Sequence, residues 1–313
     1  MRTRSWLTPP PPTVAIEIAS RRVTVVALAA GAPSVSAYAS EVWPAGTVTP
    51  SPAGINIAHA DVVTATLTRA LERAGLTATK RAALVVPDSA ARLSLLHFDQ
   101  APSRAQDLDQ LVRWQLRKST PFPLEDAIVS QTQAVPDDDG LSVAAVVARK
   151  DVIAQYEAAV ASVGIDTGLV DLSSLNVMNA IMAAGTGVTG DWLVVHLSAE
   201  ATTLAILRGQ SLMFYRHRTS IDDEPLGALV HQTAMYHEDR LGGRAFERVW
   251  LCGTDVATDD ARWQISSRLG VPVESVDIRP AADLSDRASV TPEILDALAA
   301  PVGLLVRERR AAA

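Results

Sequence analysis

The side chains of this 313-residue chain most suited to chemistry sit on a duplicated feature. Val14 to Leu28 (VAIEIASRRVTVVAL) and Leu193 to Leu207 (LVVHLSAEATTLAIL) align without a gap, and each reads as a β-hairpin with apolar, β-branched arms. The tips are short and polar or small, Ala19 to Arg22 in the first copy and Ser198 to Ala201 in the second. Arg21 and Arg22 place positive charge at the first tip, where exposed arginines are ordinarily solvated. A duplicated hairpin predicts a two-lobed molecule. Other candidate chemistry is weaker. His231 and His237 lie six residues apart, at unlike angles on a helix, so no metal site is expected. His237-Glu238-Asp239 reads as a solvated face. Cys252 is the only cysteine, which excludes an intrachain disulfide and a cysteine-based metal site; it reads as a buried small hydrophobe at a strand end.

The bulk numbers narrow the function classes. Hydrophobic residues make up 48%, enough for two ordinary domains, and 28 Lys plus Arg against 35 Asp plus Glu give a net charge of −7. That sign, with no basic stripe, argues against nucleic acid. No apolar run approaches the ~20 residues that span a bilayer. The first dozen residues carry Arg2 and Arg4 without the apolar stretch of a signal peptide. Residues 1–12 are expected to be a disordered head, with Pro9 to Pro12 a stiff spacer and Trp6 with Leu7 either disordered with it or a docking tag.

Around the hairpins, helical periodicity places a helix over Asp61 to Leu76, capped by Asp61 and stopped by Gly75, after a Pro, Gly and Ser-rich connection from Gly31 to Ile55. Residues 13–93 form the first part of one lobe. The block 94–164 reads strand, helix, strand, strand, helix and suits an inserted α+β subdomain with its helices on one face of an antiparallel sheet. Residues 165–190 return to the first lobe and end in a glycine-rich link, Gly185 to Gly190; residues 191–291 form the second lobe. The segment 292–313 reads as a C-terminal helix returning to the first lobe, with Arg307, Arg309 and Arg310 suited to its negative end.

Several stretches in this order resemble the bacterial PilM proteins and their cytoplasmic GspL-type relatives, related to FtsA. They are Val14 to Leu28, Leu111 to Leu124 (LVRWQLRKSTPFPL), Val146 to Asp171, Met213 to Ser220, Trp250 to Thr254 (WLCGT) and Val302 to Arg307 (VGLLVR). The resemblance implies an α/β, two-lobed actin-like fold (a duplicated ribonuclease H-like fold) with a small inserted subdomain. It also implies a cytoplasmic component of a type IV pilus or type II secretion-like machine, docked at the inner membrane on the cytoplasmic tail of a PilN-like single-span protein, with contacts to other cytoplasmic components of the machine.

In actin-like ATPases a carboxylate at each hairpin serves the magnesium shell, and a glycine in each turn lets backbone N–H groups approach phosphate. Here Glu17 and Ala19 replace the first Asp and Gly, and His196 and Ser198 replace the second pair, while Ser20, Thr202 and Gly253 match. Glu17 could reach a hydrated magnesium through its extra methylene; His196 supplies no negative ligand. The resemblance therefore gives Glu17, Ser20, Arg21, Ser198, Thr202 and Gly253 as the cofactor-binding set, no catalytic or metal-binding residue, and either no cofactor or ATP with magnesium held weakly. The expected function is a scaffold with a degenerate cleft. The alternatives are a nucleotide-dependent ATPase switch of the same machine and, from another class, a metabolite kinase, which would need the missing Asp.

The partner surface is expected in the insertion. On the helix near Arg104 to Lys118, Leu108, Leu111, Val112 and Leu116 form one apolar stripe, and Trp114 lies roughly 140° from its centre. Trp114, and Phe122 between Pro121 and Pro123, are either covered by a neighbouring subdomain or line a groove for an extended peptide.

Overall fold

The structure is a computed structural model that describes every residue except 1–9, 101, 103, 133–134, 138–139, 186, 221–223, 254–258, 285–289 and 313. In chain order it contains β1 (Val14–Ile18), β2 (Arg22–Leu28), β3 (Ser34–Val42), α1 (Ala60–Arg73), β4 (Arg81–Val86), β5 (Ala91–Phe98), α2 (Ala105–Ser119), β6 (Ala127–Gln131), β7 (Val135–Asp137) and β8 (Gly140–Arg149). Then follow α3 (Lys150–Ala161), β9 (Asp166–Leu172), α4 (Ser173–Ala183), β10 (Asp191–Leu197), β11 (Ala201–Arg208), β12 (Ser211–Thr219) and α5 (Leu226–Leu241). The chain closes with β13 (Arg248–Cys252), α6 (Asp259–Leu269), β14 (Val273–Ser275), β15 (Asp283–Leu284) and α7 (Pro292–Ala312).

The duplication seen in the hairpins extends to whole sheets. One sheet runs β15-β3-β2-β1-β4-β9, the other β12-β11-β10-β13-β14. In each, three antiparallel strands continue into parallel ones beside the hairpin's first strand. Both faces of the first sheet are covered, so all five β1 residues are buried. Ala15 faces a core built with α4 and α7, whereas Ile16 and Ile18 face the core under α1 and α3. α5 and α6 cover the outer face of the second sheet.

The helices α4 and α7 lie between the two sheets, their residues sharing one core with Ala15 and Val26 on one side and Val194 and Trp250 on the other. Their approach depends on Gly303, where an added Cβ would stand 1.8 Å from the Asn176 carbonyl oxygen. Further along α7, Arg307 pairs with Asp171 at the end of β9. Two of the stretches that carry the family resemblance thus touch in space.

Three expectations need correction. The Gly31 to Ile55 connection contains β3, whose small and polar residues leave only Val35 and Ala39 well buried, a weak periodic signal. Asp61 is not the cap of α1 but sits in its first turn after His59, with Gly75 in a left-handed conformation beyond the other end. α3 does not pack on the insertion's sheet. Its Val152, Ile153, Tyr156 and Val160 join the first-lobe core, drawn there because β8 runs directly into α3 and Val146 and Ala148 already turn towards that core. Among the described helices only α2 covers the face of the antiparallel sheet β5-β8-β6 that carries Leu96, Val143, Ala145 and Val147, through Val112 and Leu116.

Candidate functional site: the cleft between the hairpins

Both tips line one cleft, with Ala19, Ser20 and Arg22 from the first hairpin and Ser198, Ala199 and Glu200 from the second. Glu17 and His196 stand behind the tips, one position equivalent in the two repeats, and Gly253 closes the end. Strand alternation decides the remaining assignments. Thr203 lines the cleft and Thr202, one residue earlier, does not; Arg22 lines it and Arg21 is exposed.

The centre of the cleft is Asp88, on the short 3-10 turn after β4, which sequence reading missed because nothing repeats it in the second lobe. Its Oδ1 accepts the Ser174 backbone N–H at 3.0 Å and the Ser174 hydroxyl at 2.9 Å. Its Oδ2 accepts the Thr203 hydroxyl at 3.0 Å and lies 3.3 Å from His196 Nδ1. Burial alone would raise this carboxyl, but the hydrogen bond and charge of His196, with His217 and the Ser174 amide, hold it at about 2. Burial works against the charged form of His196 as well, and Asp88 outweighs it, raising the imidazole above its ordinary value. Thr203 Oγ1 also meets His217 Nδ1 at 2.9 Å, His217 Nε2 meets the buried Ser89 hydroxyl at 3.0 Å, and Tyr215 Oη meets Ser174 Oγ at 3.0 Å.

The groups that would serve a nucleotide are differently engaged. Glu17 is buried and accepts the Ser173 hydroxyl at 2.8 Å; burial raises its carboxyl against the pull of Arg22, which disfavours the ionised form magnesium needs. The Gly253 N–H donates to the Asp296 carboxylate at 2.9 Å, and its positive φ of 124° places an added Cβ 2.0 Å from the Leu197 carbonyl oxygen. That glycine is thus required by packing against β10. At the tips the Ala19 and Ser198 N–H groups close their own hairpins on Arg22 and Ala201 carbonyls. The volume open to a water's centre is about 50 Å³, room for a few waters. Among the described residues no group of three or more His, Cys, Asp or Glu is placed to hold a metal ion.

Elsewhere, Cys252 is buried, and burial pushes its thiol up. His237 corrects an expectation: it is 1% exposed, its Nε2 is 2.7 Å from Asp191 Oδ2, and its ring stacks on Phe246. On the insertion, Trp114 is 56% exposed on the outer face of α2, with Lys118 Nζ 3.5 Å from its ring centroid, and among the described residues no neighbouring subdomain covers it. Leu111, expected in the buried stripe, is exposed one turn away. Phe122 is half-buried against the core of the insertion. Trp6, Leu7 and Thr254 lie outside the described residues. No helix among the described residues is long and apolar enough to cross a membrane.

Comparison with known proteins agrees with this architecture. No curated protein matches the chain. Among solved structures, a PilM–PilN type IV pilus biogenesis complex is similar at 18% identity and TM-score 0.81, over 96% of this chain and 99% of that one. The ethanolamine utilization protein EutJ from Carboxydothermus hydrogenoformans is similar at 12% identity and TM-score 0.50, over 96% and 90%. The fold is actin-like. Residues 15–221 match the family described as type IV pilus assembly protein PilM, and the chain belongs to that family.

Proposed function

We propose that this protein is a scaffold of a type IV pilus assembly machine that grips the cytoplasmic tail of a PilN-like inner-membrane protein and so works at the inner face of that membrane. The observation that carries the reading is the likeness to the PilM–PilN complex along nearly the full length of both chains. The insertion is the docking element in this reading, with Trp114 and Leu111 on α2 as apolar anchors and Phe122, half-buried against the core of the insertion, as a further one. An indole left in water is a common interface hot spot.

The cleft is degenerate in this reading and carries no catalysis. Support comes from the Gly253 N–H committed to Asp296, the Ala19 and Ser198 N–H groups committed within their tips, and a Glu17 carboxyl pushed towards its neutral form. The test is calorimetric titration of the full chain with a synthetic peptide of a PilN-like cytoplasmic tail. Binding is expected, and Trp114→Ala should weaken it by about tenfold or more. Unchanged affinity in a folded variant would remove Trp114 from the site; no binding by the parent protein would remove the partner assignment.

A further inference from the structure

The hydrogen bonds around Asp88 have a fixed direction. Ser174 spends its proton on Oδ1, so its oxygen must accept from the Tyr215 hydroxyl. Thr203 spends its proton on Oδ2, so it must accept from His217 Nδ1, and His217 Nε2 shares a hydrogen bond with the Ser89 hydroxyl. The Ser174, Thr203, Tyr215 and His217 Nδ1 donors therefore point towards one carboxylate. The partners come from both halves of the molecule: Ser89 and Ser174 lie on the first-lobe side, while His196, Thr203, Tyr215 and His217 stand on β10, β11 and β12.

The charges are arranged in the same way. His196 faces Asp88 directly and lies within the field of Glu17 on β1 and Asp296 on α7. Arg22 faces Glu17, and His217 faces Asp88. One imidazolium thus stands among three carboxyl groups, where an actin-like ATPase would need a bound cation and phosphate to bring opposing hairpins together.

We propose that Asp88 is the hub of an internal clasp, closed by His196 and Thr203, that holds the two lobes at one fixed separation without a ligand. The clasp deepens the scaffold reading by giving the degenerate cleft a task. Its test reads lobe separation and not partner affinity, so either can fail alone.

The buried thiol of Cys252 allows selective labelling of added surface cysteines. Spin labels at Glu72→Cys on α1 and Glu238→Cys on α5, both exposed positions, would report the inter-lobe distance by pulsed electron resonance. The parent protein should give one narrow distribution, the same with and without MgATP. Asp88→Asn, which keeps the shape and removes the charge, should add a longer population. Thr203→Val, which deletes one donor, should shift the distribution in the same direction by less, and serves if Asp88→Asn fails to fold. An unchanged distribution in folded Asp88→Asn and Thr203→Val, or a parent distribution that moves on adding MgATP, would overturn the clasp.

Discussion

The cleft and the outer face of α2 invert the usual expectation for where a protein keeps its unmet interactions. The cleft is concave and rich in polar groups, yet its central carboxylate is saturated by Ser174, Thr203 and His196. The α2 face is convex and small, yet it leaves Trp114 and Leu111 in water. A site that binds a ligand keeps polar groups waiting for it, because satisfying them internally adds a cost to every binding event. A face that binds an apolar segment keeps hydrophobic area in water until the partner arrives. That contrast is what supports the proposal that the partner binds on the insertion and not in the cleft.

The largest effect expected from disturbing this contrast is on stability, at the cleft. Asp88→Ala strands an imidazolium and several donors without their acceptor, and removing one member of a buried charged pair costs ~3–5 kcal/mol. Urea denaturation checks it, and a loss under ~1 kcal/mol would mean that water readily replaces the carboxylate and the contrast is false.

The next effect is a pH profile with two limbs. Asp88 is held down at about 2 in the folded state, from an ordinary value of 3.8, so its contribution is full above the ordinary value and is lost as pH falls through 2. That shift corresponds to about 2 kcal/mol. His196 is raised in the folded state, so its contribution is full below its ordinary 6.5 and is lost as pH rises through the higher folded value. Melting temperature against pH should therefore lose an acid and an alkaline limb in Asp88→Asn relative to the parent. Parallel profiles for the two proteins would show that the pair contributes nothing.

At the α2 face the signs reverse. Trp114→Ala should change stability by only ~0.5 kcal/mol, as surface substitutions do, while weakening a PilN-like peptide by ~2 kcal/mol. A large stability loss with unchanged affinity would reassign the indole to a structural role, through its contact with Lys118.

Much of this was legible in the residues. The aligned hairpins carry apolar periodicity strong enough to reveal both lobes, whereas the ion pair between Asp171 and Arg307, which end two stretches singled out only for their resemblance, was not announced by either stretch. Side-chain direction within a strand was less legible, since a one-residue choice separates Thr203 from Thr202 and Arg22 from Arg21. Asp88 was invisible because its partners are distant in sequence and only folding assembles them. His237 misled for the same reason: the helix pattern around it is polar, and its burial depends on Asp191 and Phe246 arriving from other strands and loops.

The smallest expected effect is the most informative about the cleft. A ligand present at about 100 times its dissociation constant stabilises a folded protein by ~2.7 kcal/mol, whatever the site. A thermal scan can therefore weigh both faces of the molecule in one assay. The PilN-like peptide at saturating concentration should raise the melting temperature by several degrees, and millimolar MgATP should leave it in place. For MgATP to bind, Asp296 must release the Gly253 N–H, the cleft must open beyond its ~50 Å³, and Glu17 must meet magnesium in a buried setting that disfavours its charged form. Each step costs free energy before any phosphate contact is made. An MgATP shift as large as the peptide's would mean that phosphate contacts outweigh all three costs, and the nucleotide-dependent switch would then replace the scaffold. A shift that appears only in Asp88→Asn would instead show that the clasp is what keeps the nucleotide out.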